Sequence, residues 1–147
     1  MNKAFSTLPQ PVFSRDFGSG ARPVLAVHCS LAHSGTWRGL AAELSDTVTI
    51  TAFDLLTHGK SPDWDQQGDL QDRNVEAGLS LLTRPVDLIG HSFGATVALQ
   101  MALRQPDMVR SLTLVEPVFF AAAKDPALLT DLSDQSQPFI QALQAGN

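Results

Sequence analysis

Val86-Asp87-Leu88-Ile89-Gly90-His91-Ser92-Phe93-Gly94-Ala95-Thr96-Val97-Ala98-Leu99 is the stretch on which the fold turns. It begins as a short apolar run of the length of a buried strand and continues as a helical run that Pro106 follows. A strand that passes at once into a helix needs that helix to carry the chain back over the sheet, which is how parallel strands are joined.

Working outward, the same alternation recurs. Upstream, Val24 to His28 and Val48 to Phe53 read as buried strands, and Thr36 to Leu44 between them places Trp37, Leu40, Ala41 and Leu44 at helical spacing. Val75, Leu79 and Leu82 give one apolar stripe on a helix that Pro85 brings to an end. Downstream, Ser111 to Val115 is a fourth buried strand. Val12 to Phe17, closed by Gly18-Ser19-Gly20, predicts an antiparallel edge strand and a turn. The class is therefore α/β, a mostly parallel sheet with helices on both faces. Ala127 to Leu132 and Pro138 to Ala145 read as short helices with no further strand among them.

Composition narrows the function classes. The 147 residues are 44% hydrophobic and 17% charged, which suits one globular domain and excludes a disordered chain. Ten Lys and Arg against fifteen Asp and Glu leave a net charge of −5 with no basic patch, so nucleic acid is not an expected partner. The lone Cys29 excludes an internal disulfide and an all-cysteine metal site. Met1 to Gln10 lacks the apolar run of a signal peptide, and no run reaches the length of a membrane helix, so the expectation is a soluble cytoplasmic protein. Gly18-Ser19-Gly20 leads from strand to strand and lacks the third glycine of a dinucleotide site. No motif calls for a cofactor or a metal.

Gly90-His91-Ser92-Phe93-Gly94 fits G-x-S-x-G between a strand and a helix, the setting of a nucleophile elbow. Small residues on either side of Ser92 let the chain reverse sharply, and the helix N-terminus favours negative charge developing beside the hydroxyl. The plainer alternative is a tight turn in which Ser92 caps the helix. With its context, the stretch resembles the α/β-hydrolase superfamily, specifically bacterial lipase/esterase-like members with a mobile cap. Val24 to Trp37, Asp54 to Ser61 and Val86 to Pro117 carry the resemblance.

The resemblance implies a serine hydrolase in which Ser92 is the nucleophile. The amides of Ser30, after the His28-Cys29 pair, and of Phe93 would form the oxyanion hole. Asp54 to Ser61 is similar to the D-x-x-G-H-G-x-S loop, with Thr57 at a glycine position, and Cys29 stands at the glycine of the family's earlier His-Gly pair. His28 and His58 are assigned to ordering these two loops, and Asp54 and Asp87 to anchoring rather than catalysis. Glu116, at the end of the fourth buried strand, is the candidate triad acid, weighed against a carboxylate that merely bonds nearby backbone. Residues 1–118 would form the N-terminal part of the hydrolase core and 119–147 the start of a helical cap.

One element of the pattern is missing. The triad runs Ser, then Asp or Glu, then His, yet the 55 residues after Ser92 contain no histidine. His28, His33, His58 and His91 all precede it. Among them His33 is the least implausible substitute base, and His91 reads first as a packed residue under the turn. The expectation is thus a truncated hydrolase, weak or inactive as this chain. Trp37, Phe119 and Phe120 could wall a pocket for its ester, thioester, lactone or carbon–carbon substrate, though each is equally well explained as core. The alternative is a non-catalytic remnant of the fold that binds a ligand or self-associates through an exposed edge strand at 111–115.

Overall fold

Strands β1 (Ser14–Phe17), β2 (Arg22–Val27), β3 (Val48–Phe53), β4 (Val86–His91) and β5 (Val109–Val115) form one sheet in the order β1-β3-β2-β4-β5. The computed structural model describes residues 11–118 together with Gln137 and Gln141. β1 runs antiparallel to β3, and the other neighbours are all parallel. The helices are α1 (Arg38–Glu43), α2 (Leu70–Ser80) and α3 (Phe93–Arg104).

Side-chain alternation along the strands divides the core into two layers. On one face Ala26, Ile50 and Ala52 meet Trp37 and Ala41 of the α1 region. On the other, Leu25, Val27, Phe53 and Leu88 pack against Val75 and Leu79 of α2 and Val97 and Met101 of α3. Full burial of side chains such as Phe53, Ile50 and Leu88 is worth about 1.5–3 kcal/mol each, and it holds the carboxyl ends of β2, β3 and β4 in one row. The loops that leave those ends build the site.

The expected α/β architecture is what the chain adopts, with differences at the ends of its elements. The helix expected over Thr36 to Leu44 is a 3-10 turn, Ser34–Trp37, followed by the short α1. Only Trp37 and Ala41 of its stripe are buried; Leu40 and Leu44 face outward, because the tighter turn shifts their phase. Trp37 packs in this core cluster, as its alternative reading expected. α2 stops at Ser80, before Leu82, which still packs against the core from beyond the helix end.

Among the described residues β5 lies at the sheet edge, as the self-association alternative expected, and is not buried on both faces as its apolar run suggested. It has one strand neighbour among the described residues, and none of its residues is fully buried. A register shift opposite Val86 and Asp87 leaves Arg110 as an extra residue, so Val109, Leu112 and Leu114 all face the α3 layer while Ser111, Thr113 and Val115 are exposed. The short helices expected after residue 118, the cap assignment, and Phe119 and Phe120 lie outside the described residues.

Asp87 ties the far end of the sheet together. It accepts hydrogen bonds from Arg22, from Arg110 at 3.0 Å and from Ser111 at 2.8 Å. The Arg22 guanidinium first, and then Arg110 and Ser111 against the opposing effect of burial, hold its carboxyl far below the usual range. Asp87 is the second residue of β4 and Ser92 follows its last, so this cluster stands at the opposite end from the elbow.

Candidate active site

Ser92 joins β4 to α3 with φ 53 and ψ −116, a conformation that non-glycine residues rarely adopt. The surrounding bonds hold it there. Its amide donates to the Val115 carbonyl of β5 at 2.9 Å, and its carbonyl accepts from the Ala95 amide at 3.0 Å. Its hydroxyl makes no capping bond to α3, although the residue occupies the capping position. A serine kept only as a cap would use that oxygen. Ser92 is half-buried, and Phe93 follows as the first residue of α3, where amides have no acceptor within the helix.

The two glycines of the motif are required by close approaches on either side. A Cβ on Gly90 would stand 2.6 Å from the Cα of Ala95, so the first turn of α3 lies directly on the end of β4. A Cβ on Gly94 would stand 2.5 Å from the Val27 carbonyl oxygen and closer still to that of His28. Gly94 therefore lets α3 dock on the end of β2, just before the loop that carries Ser30.

That loop is fixed from below. His28 is fully buried; its Nε2 accepts from the Leu55 amide at 3.0 Å and its Nδ1 stands 2.7 Å from the Cys29 carbonyl. Cys29 is not among the residues with left-handed backbone, so the side chain at this glycine position costs the loop no backbone strain. The left-handed residue is Leu31, with φ 62, which is 77% exposed. The Leu31 amide donates to His58 Nε2 at 3.2 Å, and His58 Nδ1 lies 2.9 Å from the Leu56 carbonyl. Ser30, between them, is exposed.

Asp54 binds the loops after β2 and β3 to each other. It is wholly buried and accepts from the Ser34 amide at 2.6 Å and the Lys60 amide at 2.8 Å. Burial alone would raise its pKa, but the bonds from Ser34 and Lys60 outweigh it and keep the carboxyl below the usual range. Thr57 has φ 67, left-handed backbone of the kind a glycine adopts without cost, and its Oγ1 accepts from the Trp64 amide at 3.1 Å.

The remaining candidates are placed as follows. His33 caps the 3-10 turn, with Nδ1 accepting from the Gly35 amide at 3.0 Å. His91 is half-buried rather than enclosed, and its Nε2 is 3.8 Å from the Glu116 carboxylate. Glu116 has φ 45 and an 86% exposed side chain, so its carboxylate turns towards His91 and solvent instead of the backbone. No cluster of metal-ligating side chains occurs among the described residues. The left-handed turn at Leu31 had no signal in the sequence, because leucine is not a turn-forming residue.

The family model described as "Alpha/beta hydrolase family" matches residues 24–146. Lipase LipV of Mycobacterium tuberculosis is 38% identical over 120 residues, which cover 79% of this chain and 44% of that protein. A pimeloyl-[acyl-carrier protein] methyl ester esterase of Methylococcus capsulatus is 34% identical over 151 aligned positions, covering 91% of this chain and 57% of the relative. Among solved structures, one titled marine microorganism esterase superposes with a TM-score of 0.65 at 26% identity, over 71% of this chain and 41% of the other. The chain thus spans about half the length of these two curated relatives.

Proposed function

The chain belongs to the alpha/beta hydrolase family, and on that premise we propose that it acts on an ester-type bond through an acyl-enzyme on Ser92. Ser92 Oγ attacks the substrate carbonyl carbon as a base takes its proton. The resulting oxyanion is held by the amides of Ser30 and Phe93, and the tetrahedral species collapses with loss of the alcohol. Water then releases the acid and restores the hydroxyl. An esterase or lipase relative supports a carboxylic ester as substrate, and a thioester, lactone or carbon–carbon bond would pass through the same oxyanion. The observation that carries the reading is the strained backbone of Ser92, held at a strand–helix junction with its hydroxyl unused by the helix.

The base is the weak point of the 147 residues. His28 and His58 have both ring nitrogens engaged by backbone groups, and His33 is bonded to its own turn. His91, paired with Glu116, is the histidine left with a side-chain carboxylate partner. We therefore expect this chain to be a slow enzyme or an inactive one, with residues 1–118 as part of the hydrolase core and 119–147 as the start of a cap. A fluorophosphonate probe, with the adduct located by mass spectrometry, tests the reading. Slow labelling at Ser92 that disappears in Ser92→Ala is the expected result. Labelling undiminished in that variant, or located on another residue, overturns it. Fast ester turnover that survives His91→Gln would refute the weak-base argument while leaving the nucleophile in place.

Among the described residues β5 has a strand neighbour on one side only, which favours a second reading, a non-catalytic module that self-associates along residues 111–115. Concentration-dependent light scattering, weakened by Val115→Lys, supports it. A monomer at all concentrations removes it.

A further inference from the structure

The loops after β2 and β3 exchange bonds through two histidines, and the exchange is reciprocal. His28, from the first loop, receives the Leu55 amide of the second. His58, from the second, receives the Leu31 amide of the first. The rings lie 5.3 Å apart, centroid to centroid. In each case Nε2 faces an N–H group and must act as acceptor, so the ring proton resides on Nδ1. That proton is then donated to a carbonyl, Cys29 for His28 and Leu56 for His58. Neither ring can take a second proton without losing its acceptor, because an N–H would then point at an N–H.

We propose that His28 and His58 are positioning residues that hold the Ser30–Leu31 turn in place only while both rings are neutral, which makes the oxyanion loop loosen in acid. The functional consequence rests on the assignment of Ser30 as an oxyanion donor, whereas the staple itself does not. Leu31 gives the device its leverage. Its left-handed backbone is an unfavourable conformation for leucine, and its side chain is exposed and gains little from packing. The bond to His58 therefore opposes a local tendency to relax, and protonation of His58 removes that restraint.

The charged surroundings set how the His28 ring responds. Burial lowers the pKa of His28, and the neighbouring His58 and His33 act in the same direction. Its bond to the Cys29 carbonyl and the Asp54 carboxylate beneath it act the other way. Lys60, on the same loop as His58, is turned away over the Phe13 ring at 5.1 Å. The Leu55 bond to His28 consequently persists to more acid pH than an ordinary histidine would allow.

Amide hydrogen exchange, corrected for its intrinsic pH dependence, tests the staple on the full chain. In the wild type the Leu31 amide is expected to be protected at about pH 8 and to lose protection about fivefold to tenfold by about pH 5, the effect of losing one hydrogen bond across the histidine range. In His58→Gln the side-chain oxygen takes the place of Nε2 and does not titrate, so protection at Leu31 is expected at both values. In His58→Ala it is expected at neither. The Val97 amide, inside α3, reports global unfolding and is expected to remain protected throughout. Constant Leu31 protection across the pH range in the wild type, acid loss retained in His58→Gln, or full protection in His58→Ala each overturns the proposal. Where phosphonate labelling of Ser92 is measurable, its acid limb is expected to flatten in His58→Gln. A correct exchange pattern with an unchanged labelling profile would keep the staple and remove Ser30 from the oxyanion hole.

Discussion

Replacing Gly94 by alanine tests the contact that joins the two halves of the site. The added Cβ would lie 2.5 Å from the Val27 carbonyl oxygen and 2.8 Å from its carbon, and closer still to the His28 oxygen. Non-bonded atoms prefer about 3.5 Å, so α3 and the end of β2 must separate by about 1 Å. Forced overpacking of this kind costs about 1–3 kcal/mol. The obstacles are backbone atoms of a central strand, which places the cost at the upper end. Alanine returns about 1 kcal/mol of helix propensity. The net expectation is a loss of about 2 kcal/mol, measured as a lower urea midpoint. Gly39 in α1 provides the control. A Cβ there meets nothing within 4 Å, so Gly39→Ala is expected to stabilise by about 0.5–1 kcal/mol. If Ser30 and Phe93 hold the oxyanion as proposed, a displacement of about 1 Å of α3 from the loop after β2 would misplace one donor against the other, and misplacement on that scale costs about a hundredfold in rate. Phosphonate labelling of Ser92 is thus expected to slow far more in Gly94→Ala than stability alone explains. A Gly94→Ala protein as stable as Gly39→Ala, labelling at the wild-type rate, would refute the reasoning.

Three further outcomes follow from the same geometry. Ser92→Gly is expected to melt higher than Ser92→Ala by about 1 kcal/mol in free energy, since it relieves about 1–3 kcal/mol of backbone strain and returns part of this through a looser unfolded chain; equal melting temperatures would contradict the strain at φ 53. Asp87 has a depressed folded pKa, so its contribution is present above the ordinary carboxylate value of about 3.9 and fades as pH falls below it. Asp87→Asn is expected to be less stable at neutral pH, with a shallower loss on acidification, as followed by urea midpoints against pH. Asp54→Asn keeps the shape but turns an amide N–H₂ towards one of the two donating backbone amides, and is expected to cost about 2 kcal/mol by equilibrium unfolding.

The parts legible in the sequence were those governed by local periodicity. β4, α3 and the turn between them announce themselves through an apolar run, a glycine-flanked serine and a helical stripe, and the structure departs from that reading by a residue or so. In β5 the apolar run does not by itself reveal how many neighbours a strand has, and the bulge at Arg110 answers to Asp87 rather than to its own neighbours in sequence. The helix expected from Thr36 began as a 3-10 turn because His33 caps it two residues earlier. In the site, the motif showed that Gly94 was present but gave a local reason for it; the actual constraint is a pair of carbonyls on another strand. The crossed histidines were equally hidden, since His28 and His58 acquire their shared role only when two loops distant in sequence are folded side by side.

Asp54 has a practical consequence for anyone who redesigns this scaffold. A single buried carboxylate is spoken for by Ser34 on one loop and Lys60 on the other. Transplanting either loop alone from a related sequence would strand its half of that handshake, however well the donor segment suits a new substrate. The two loops are one interchangeable part and should be grafted, randomised or recombined together.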